Sequence, residues 1–111
     1  MSIKVDLSLR RLRRVLSGSP AAIDRGAKAY ADAVADLAQQ LAPVDTGALR
    51  ESIHVEAGDQ AGAYRVVAGV PYAVHVEFGT HKAAAQPFLT PAVQHTAPLP
   101  FFARELAELS R

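Results

Sequence analysis

Two prolines, Pro20 and Pro43, bracket the stretch that most constrains this chain. Between them Ile23, Ala27, Tyr30, Val34, Leu37 and Leu41 recur at alternating steps of four and three, which is the spacing of one helix face. Ser19 suits the N-cap, Pro20 suits the first helical position, and Pro43 cannot continue a helix. Residues 19–42 are therefore predicted as one long amphipathic helix. Its other faces carry Asp24, Arg25, Lys28, Asp32, Asp36, Gln39 and Gln40 among many alanines, so only one stripe is strongly apolar. Gly26 costs such a helix about 1 kcal/mol relative to alanine, which a close contact there can offset.

The other segments must cover that stripe. With 111 residues, no Trp and few other aromatics, the chain makes one domain, 1–111, with a thin, alanine-rich core. Val5, Leu9, Leu12 and Leu16 are spaced as a helix face with arginines opposite, so 1–18 is predicted as a basic amphipathic helix. Residues 43–53 read as an elbow and a short helix, GALRESI. IHVEA at 53–57 and AYRVVAG at 63–69 read as a β-hairpin across a glycine-containing loop, within a small antiparallel sheet spanning 53–80. In VPYAVHVEFGT, Val70, Tyr72, Val74, Val76 and Phe78 fall at period two and favour a strand. Pro71 and Gly79 equally fit the start and stop of a two-turn helix. Residues 81–111 are expected as a loop, HKAAAQ, then a helical turn from Thr90-Pro91 and a closing C-terminal helix in FFARELAELSR. The order gives an α+β fold, with helices on one face of the sheet.

Function classes narrow quickly. Lys and Arg exceed Asp and Glu by one, so the overall balance signals neither a nucleic-acid binder nor an acidic tail. The absence of cysteine removes disulfide scaffolds and thiolate chemistry. No stretch approaches the ~20 apolar residues of a membrane span, and the N-terminus does not read as a secretory signal. The chain is expected to be soluble and cytoplasmic when made, with no membrane partner and no cofactor.

Three local features invite chemistry. Asp45-Thr46-Gly47 is the tripeptide around the catalytic aspartate of retroviral-type aspartic proteases, which bring two carboxylates about 3 Å apart by dimerising. Such loops follow an apolar strand, however, whereas here a long helix precedes Asp45, and a helix cap accounts for Asp45 and Thr46 better. His75 and Glu77 would share one strand face with His81 nearby, so a two-His, one-carboxylate metal site can be drawn, though nothing in the spacing requires it. His54 and His95 are scattered. Arg10, Arg11, Arg13 and Arg14 in RRLRR are candidate partner or DNA contacts that could neutralise phosphates. Without interleaved aromatics or a DNA-reading motif, a solvated face or an acidic partner is the preferred role.

Taken in order, APVDTGALRESI at 42–53, YAVHVEFGT at 72–80 and QPFLTPA at 86–92 resemble the neck and tail-completion proteins of long-tailed double-stranded DNA bacteriophages, a family of tail components. APLP at 97–100 departs from the continuous helix often found at that place. The resemblance implies a structural virion protein, not an enzyme, that forms a ring, expected to be a hexamer, at the head–tail interface. Its implied partners are itself, the head connector or stopper, and the tail tube or terminator, around a channel through which DNA passes without sequence-specific contact. Its implied location is the virion, after assembly in the host cytoplasm.

The same resemblance suggests structural or interface roles along the chain. Pro43 stops the long helix, Asp45 and Thr46 cap the next, and Gly47 turns the backbone. Leu49 and Ile53 pin the short helix to the sheet. Glu77, Gly79 and Thr80 form a tight turn whose carboxylate caps backbone amides or meets an arginine such as Arg50, across the elbow or on a neighbouring subunit, and Tyr72 counts among the structural or interface residues. Pro87, Phe88 and Pro91, with Ala92, anchor the C-terminal helix.

Overall fold

The computed structural model describes residues 3–7, 20–43, 47–59 and 62–97. Among these the order is β1 (Ile3–Leu7), α1 (Pro20–Leu41), α2 (Ala48–Ser52), β2 (Ile53–Ala57), β3 (Tyr64–Ala68), α3 (Ala73–Phe78) and α4 (Leu89–His95). The fold is α+β, with one long helix near the N-terminus, a small antiparallel sheet and a later helix, as expected.

Helix α1 begins at Pro20 and runs to Leu41, and the amide of Ala42 still bonds the carbonyl of Ala38 at 2.9 Å before Pro43 ends the pattern. Its buried side is an alanine stripe: Ala27, Ala31, Ala35, Ala38 and Ala42, joined by Tyr30 and Val34. Leu37 is half-buried and Leu41 lies exposed, so the periodic face holds at Ala27, Tyr30 and Val34 and passes to alanines toward the C-terminal end of the helix. Methyl groups let the helix axis approach β2, β3 and α4, against which it packs. The hydroxyl of Tyr64 donates to Asp24 at 2.7 Å and ties the early part of α1 to β3.

The sheet has strand order β1-β3-β2, with β3 antiparallel to both neighbours. The hairpin β2–β3 is the expected one. Its turn closes with the Gly58 amide on the Ala63 carbonyl at 2.7 Å.

Strand β1 corrects the expected N-terminal helix over its first residues. Ile3, Val5 and Leu7 alternate with Lys4 and Asp6, and the open edge of β3 supplies a full ladder that a lone amphipathic turn cannot match. The remainder of that expected helix, including Arg10, Arg11, Arg13 and Arg14, lies outside the described residues, as does FFARELAELSR.

The second correction concerns 70–78, favoured as a strand within the sheet but folded as helix α3. Its first turn follows Pro71, the amides of His75 and Val76 bond Tyr72, and Gly79 closes it with its amide on the His75 carbonyl at 2.8 Å. Gly79 has φ 76° and ψ 175°, a region open almost only to glycine. The helix hides Ala73 and Glu77 and exposes Phe78.

The core joins α1, Leu49 of α2, Ile53, Val66 and Ala68 of the sheet, Ala73 of α3, and Phe88, Leu89 and Ala92 at α4. Phe88 and Leu89 are its largest fully buried members alongside Val34 and Val66.

Candidate functional site

The elbow after α1 leads into α2, whose N-cap position falls on Gly47 at φ 74°, and Gly47 accepts the amide of Glu51 at 2.9 Å. The expected capping residues Asp45 and Thr46 lie outside the described residues. Leu49 and Ile53 are both buried in the core, where the expected pinning of this helix to the sheet put them. Ser52 bonds back to the Leu49 carbonyl at 2.7 Å and so closes the short helix onto β2.

The most organised polar feature is Glu77, whose side chain is buried. One carboxylate oxygen accepts the amides of Phe88 at 3.0 Å and Leu89 at 2.8 Å, while the other accepts the Thr90 amide at 3.1 Å. Burial pushes the carboxyl up, but these amides and Thr90 outweigh it and hold it below the ordinary glutamate range. Glu77 thus clamps the first turn of α4 onto α3. Within the protomer Glu77 caps backbone amides and makes no contact with Arg50.

Between the clamped ends runs an exposed irregular segment, residues 80–87. Thr80 and Ala83 exchange backbone bonds at 2.9 and 3.3 Å, the Thr80 hydroxyl accepts the amides of Lys82 and Ala83, and the Gln86 amide bonds Val76 at 2.8 Å. This segment and α3 enclose a cleft of about 200 Å³ that brings together Pro43, Tyr72, His75, Val76 and Thr80. Among the described residues Tyr72, Leu41 and Phe78 are the exposed large apolar ones, Phe78 at 70%.

Arg50 sits elsewhere, in a cleft of about 320 Å³ with Asp36, Gln39 and Gln40, and its buried Nε has no partner. Of the anchor residues, Phe88 and Ala92 are buried, Pro91 is half-buried and Pro87 is exposed. Leu89, which the sequence reading passed over, is buried as deeply as Phe88. Its apolar character next to Phe88 was the available signal.

The metal arrangement drawn from sequence depended on a strand. In helix α3 His75 points to the exposed side while Glu77 is buried and engaged, so the two do not converge. Among the described residues no group of three His, Cys, Asp or Glu side chains could hold a metal ion. Likewise the segment leading to Asp45 is helical, unlike the strand that precedes an aspartic-protease loop. Among the described residues no helix is long and apolar enough to cross a membrane.

On the outward face of the sheet, His54 Nδ1 meets the Ser52 carbonyl at 2.8 Å and Nε2 meets the Glu56 carboxylate at 3.0 Å. Both partners are acceptors, so the doubly protonated ring fits best; the Glu56 bond and the Ser52 bond raise the His54 pKa. Behind this edge, β2 and α1 border the largest of these three clefts, about 710 Å³, lined by residues including Lys28, Asp32, Asp36 and Gln39 on one wall and Ile53, Val55 and Ala57 on the other.

A family model described as "Bacteriophage HK97-gp10, putative tail-component" matches residues 8–79. Comparison with curated proteins and with solved structures gave no significant match.

Proposed function

The chain belongs to the HK97-gp10-like family of bacteriophage tail components, and from that membership we propose that it is a structural protein of the head–tail interface. In this reading it assembles as a ring of six copies that joins the head connector to the tail tube and leaves a channel for DNA. The family match over 8–79 carries the proposal, because it covers helix α1, the elbow, the β2–β3 hairpin and helix α3 together.

The surface supports an assembly role. A chain with so thin a core leaves Leu41, Tyr72 and Phe78 exposed, and Tyr72 lines a cleft with Pro43 and Thr80. We assign this cleft and these exposed apolar side chains to contact with the connector or tail-tube protein. Arg50, with its unpartnered Nε, is assigned to an acidic group of a neighbouring subunit. The protein works without catalysis or cofactor, by shape and adhesion, in the virion and, before that, in the host cytoplasm during assembly.

Native mass spectrometry of the purified chain, alone and mixed with connector and tail-tube proteins of the same phage, tests this. A closed six-membered ring in either sample supports the reading. A chain that stays monomeric in both, and is missing from purified virions, overturns it.

A further inference from the structure

Among the described residues the sheet has two edges of equal length, β1 and β2, and both run antiparallel to β3, hence parallel to each other. The bonds from Gly69 to Ser52 and from Gly58 to Ala63 set the parity of the β2–β3 ladder. Ser52, His54, Glu56 and Gly58 turn their backbone groups toward β3, so Val55 and Ala57 turn theirs outward. Ile53 is already served, its amide by the Arg50 carbonyl and its carbonyl by the Gln39 side chain. By the same alternation across β3, Ile3, Val5 and Leu7 face β3 and the backbone of Lys4 and Asp6 faces out.

The outward side of β2 opens on the 710 Å³ cleft beside α1. Natural edges are commonly guarded by proline, lysine or a bulge. Strand β2, IHVEA, has none of these, and its register with β3 is unbroken.

We propose that copies of this chain join sheet edge to sheet edge, β1 of one protomer adding in parallel to β2 of the next, with Lys4 seated beside Glu56. The proposal rests on the ring reading and names the surface that builds it. Rotation about a ring axis preserves strand direction when strands run near that axis, so a cyclic assembly joins β1 and β2 in parallel, whereas antiparallel edge pairing belongs to two-fold dimers. In a parallel ladder the outward groups of Lys4 fit between those of Val55 and Ala57: its amide reaches the Val55 carbonyl and its carbonyl takes the Ala57 amide.

That register sets Lys4 opposite Glu56, Ile3 opposite Val55 and Val5 opposite Ala57. Charge meets opposite charge on the outward face, and the half-buried Ile3, Val5 and Val55 continue one apolar face. The unstaggered register would instead put Lys4 opposite His54, with no acid to meet it. Charge therefore selects a stagger of two residues, and closed sheets require a stagger in any case.

The native chain has no cysteine, so one introduced pair reports the joint. Within a protomer Lys4 and Glu56 lie on strands separated by β3, about 10 Å apart, too far for a disulfide. Mild oxidation of the Lys4→Cys, Glu56→Cys double variant is expected to give a covalent ladder on a non-reducing gel that ends at the ring size, while each single variant gives none. Ala57→Pro removes the outward amide that the Lys4 carbonyl takes without removing a bond to β3, and is expected to keep the circular dichroism of the protomer while abolishing the ring. A ring seen by native mass that yields no ladder and survives Ala57→Pro overturns this joint alone. Covalent dimers from Glu56→Cys by itself indicate two-fold β2 pairing and overturn it too. A wild-type chain that is monomeric with and without its partner proteins removes the ring reading and the joint together.

Discussion

Glu77 is a residue whose charge is useful because it is hidden. Three amides at the start of α4 need an acceptor, and a buried carboxylate supplies one more strongly than a neutral group does. Glu77→Gln is expected to lower unfolding stability by roughly 1–3 kcal/mol in urea titrations near neutral pH. Because the folded-state pKa is depressed, the stability that the charge contributes is present above the ordinary value of 4.5 and is lost as pH falls through the folded value. The gap between wild type and Glu77→Gln should therefore close on acidification, and a pH-independent gap would show that shape, not charge, matters. Two glycines give a contrast at the same scale. Both Gly47 and Gly79 have positive φ, but a Cβ at Gly47 meets nothing within 4 Å, whereas one at Gly79 comes to 2.7 Å from the Ala85 amide nitrogen. Gly47→Ala should cost about 1–2 kcal/mol from the backbone alone, and Gly79→Ala clearly more, as paired thermal melts would reveal.

Among the elements, α1 shows both the reach and the limit of reading a sequence. Its existence and ends were written in Pro20, Pro43 and the four-three spacing. Its contact line keeps Ala27, Tyr30 and Val34 but passes from Leu37 and Leu41 to Ala38 and Ala42, because hydrophobic period is weighted by large side chains while close packing favours small ones. Ala38→Leu, at a position with no exposure, is accordingly expected to cost about 1–3 kcal/mol through overpacking, read from the midpoint of chemical unfolding. Helix α3 was obscured by Glu77. The inward set is Ala73, Val76 and Glu77, a helical spacing that becomes visible only if a glutamate is counted as buried. Strand β1 was obscured for another reason: Val5 fits a helix face with Leu9 and a strand face with Ile3 and Leu7. The deciding factor is the vacant edge of β3, some sixty residues further on. The hairpin, by contrast, was legible because its strands and turn are adjacent in the chain. Of the candidate site, Leu49, Ile53 and Phe88 were identifiable as anchors, whereas the unpartnered Nε of Arg50 depends on three-dimensional surroundings.

For the whole molecule, the surface separates folding from assembly. Phe78, at 70% exposure, contributes little to the protomer, so Phe78→Ser should change stability by no more than about 0.5 kcal/mol while lowering the yield of tailed particles in a complementation assay. A variant that unfolds, or one that assembles normally, would count against assigning this face to a virion neighbour. The alanine line beneath α1 bears on mechanics as well. Methyl groups have no rotamers to change, so the spacing between helix and sheet has no soft coordinate along which to yield. A protomer built this way transmits a push as a stiff tile; in the proposed ring, any give would be left to the seams between tiles.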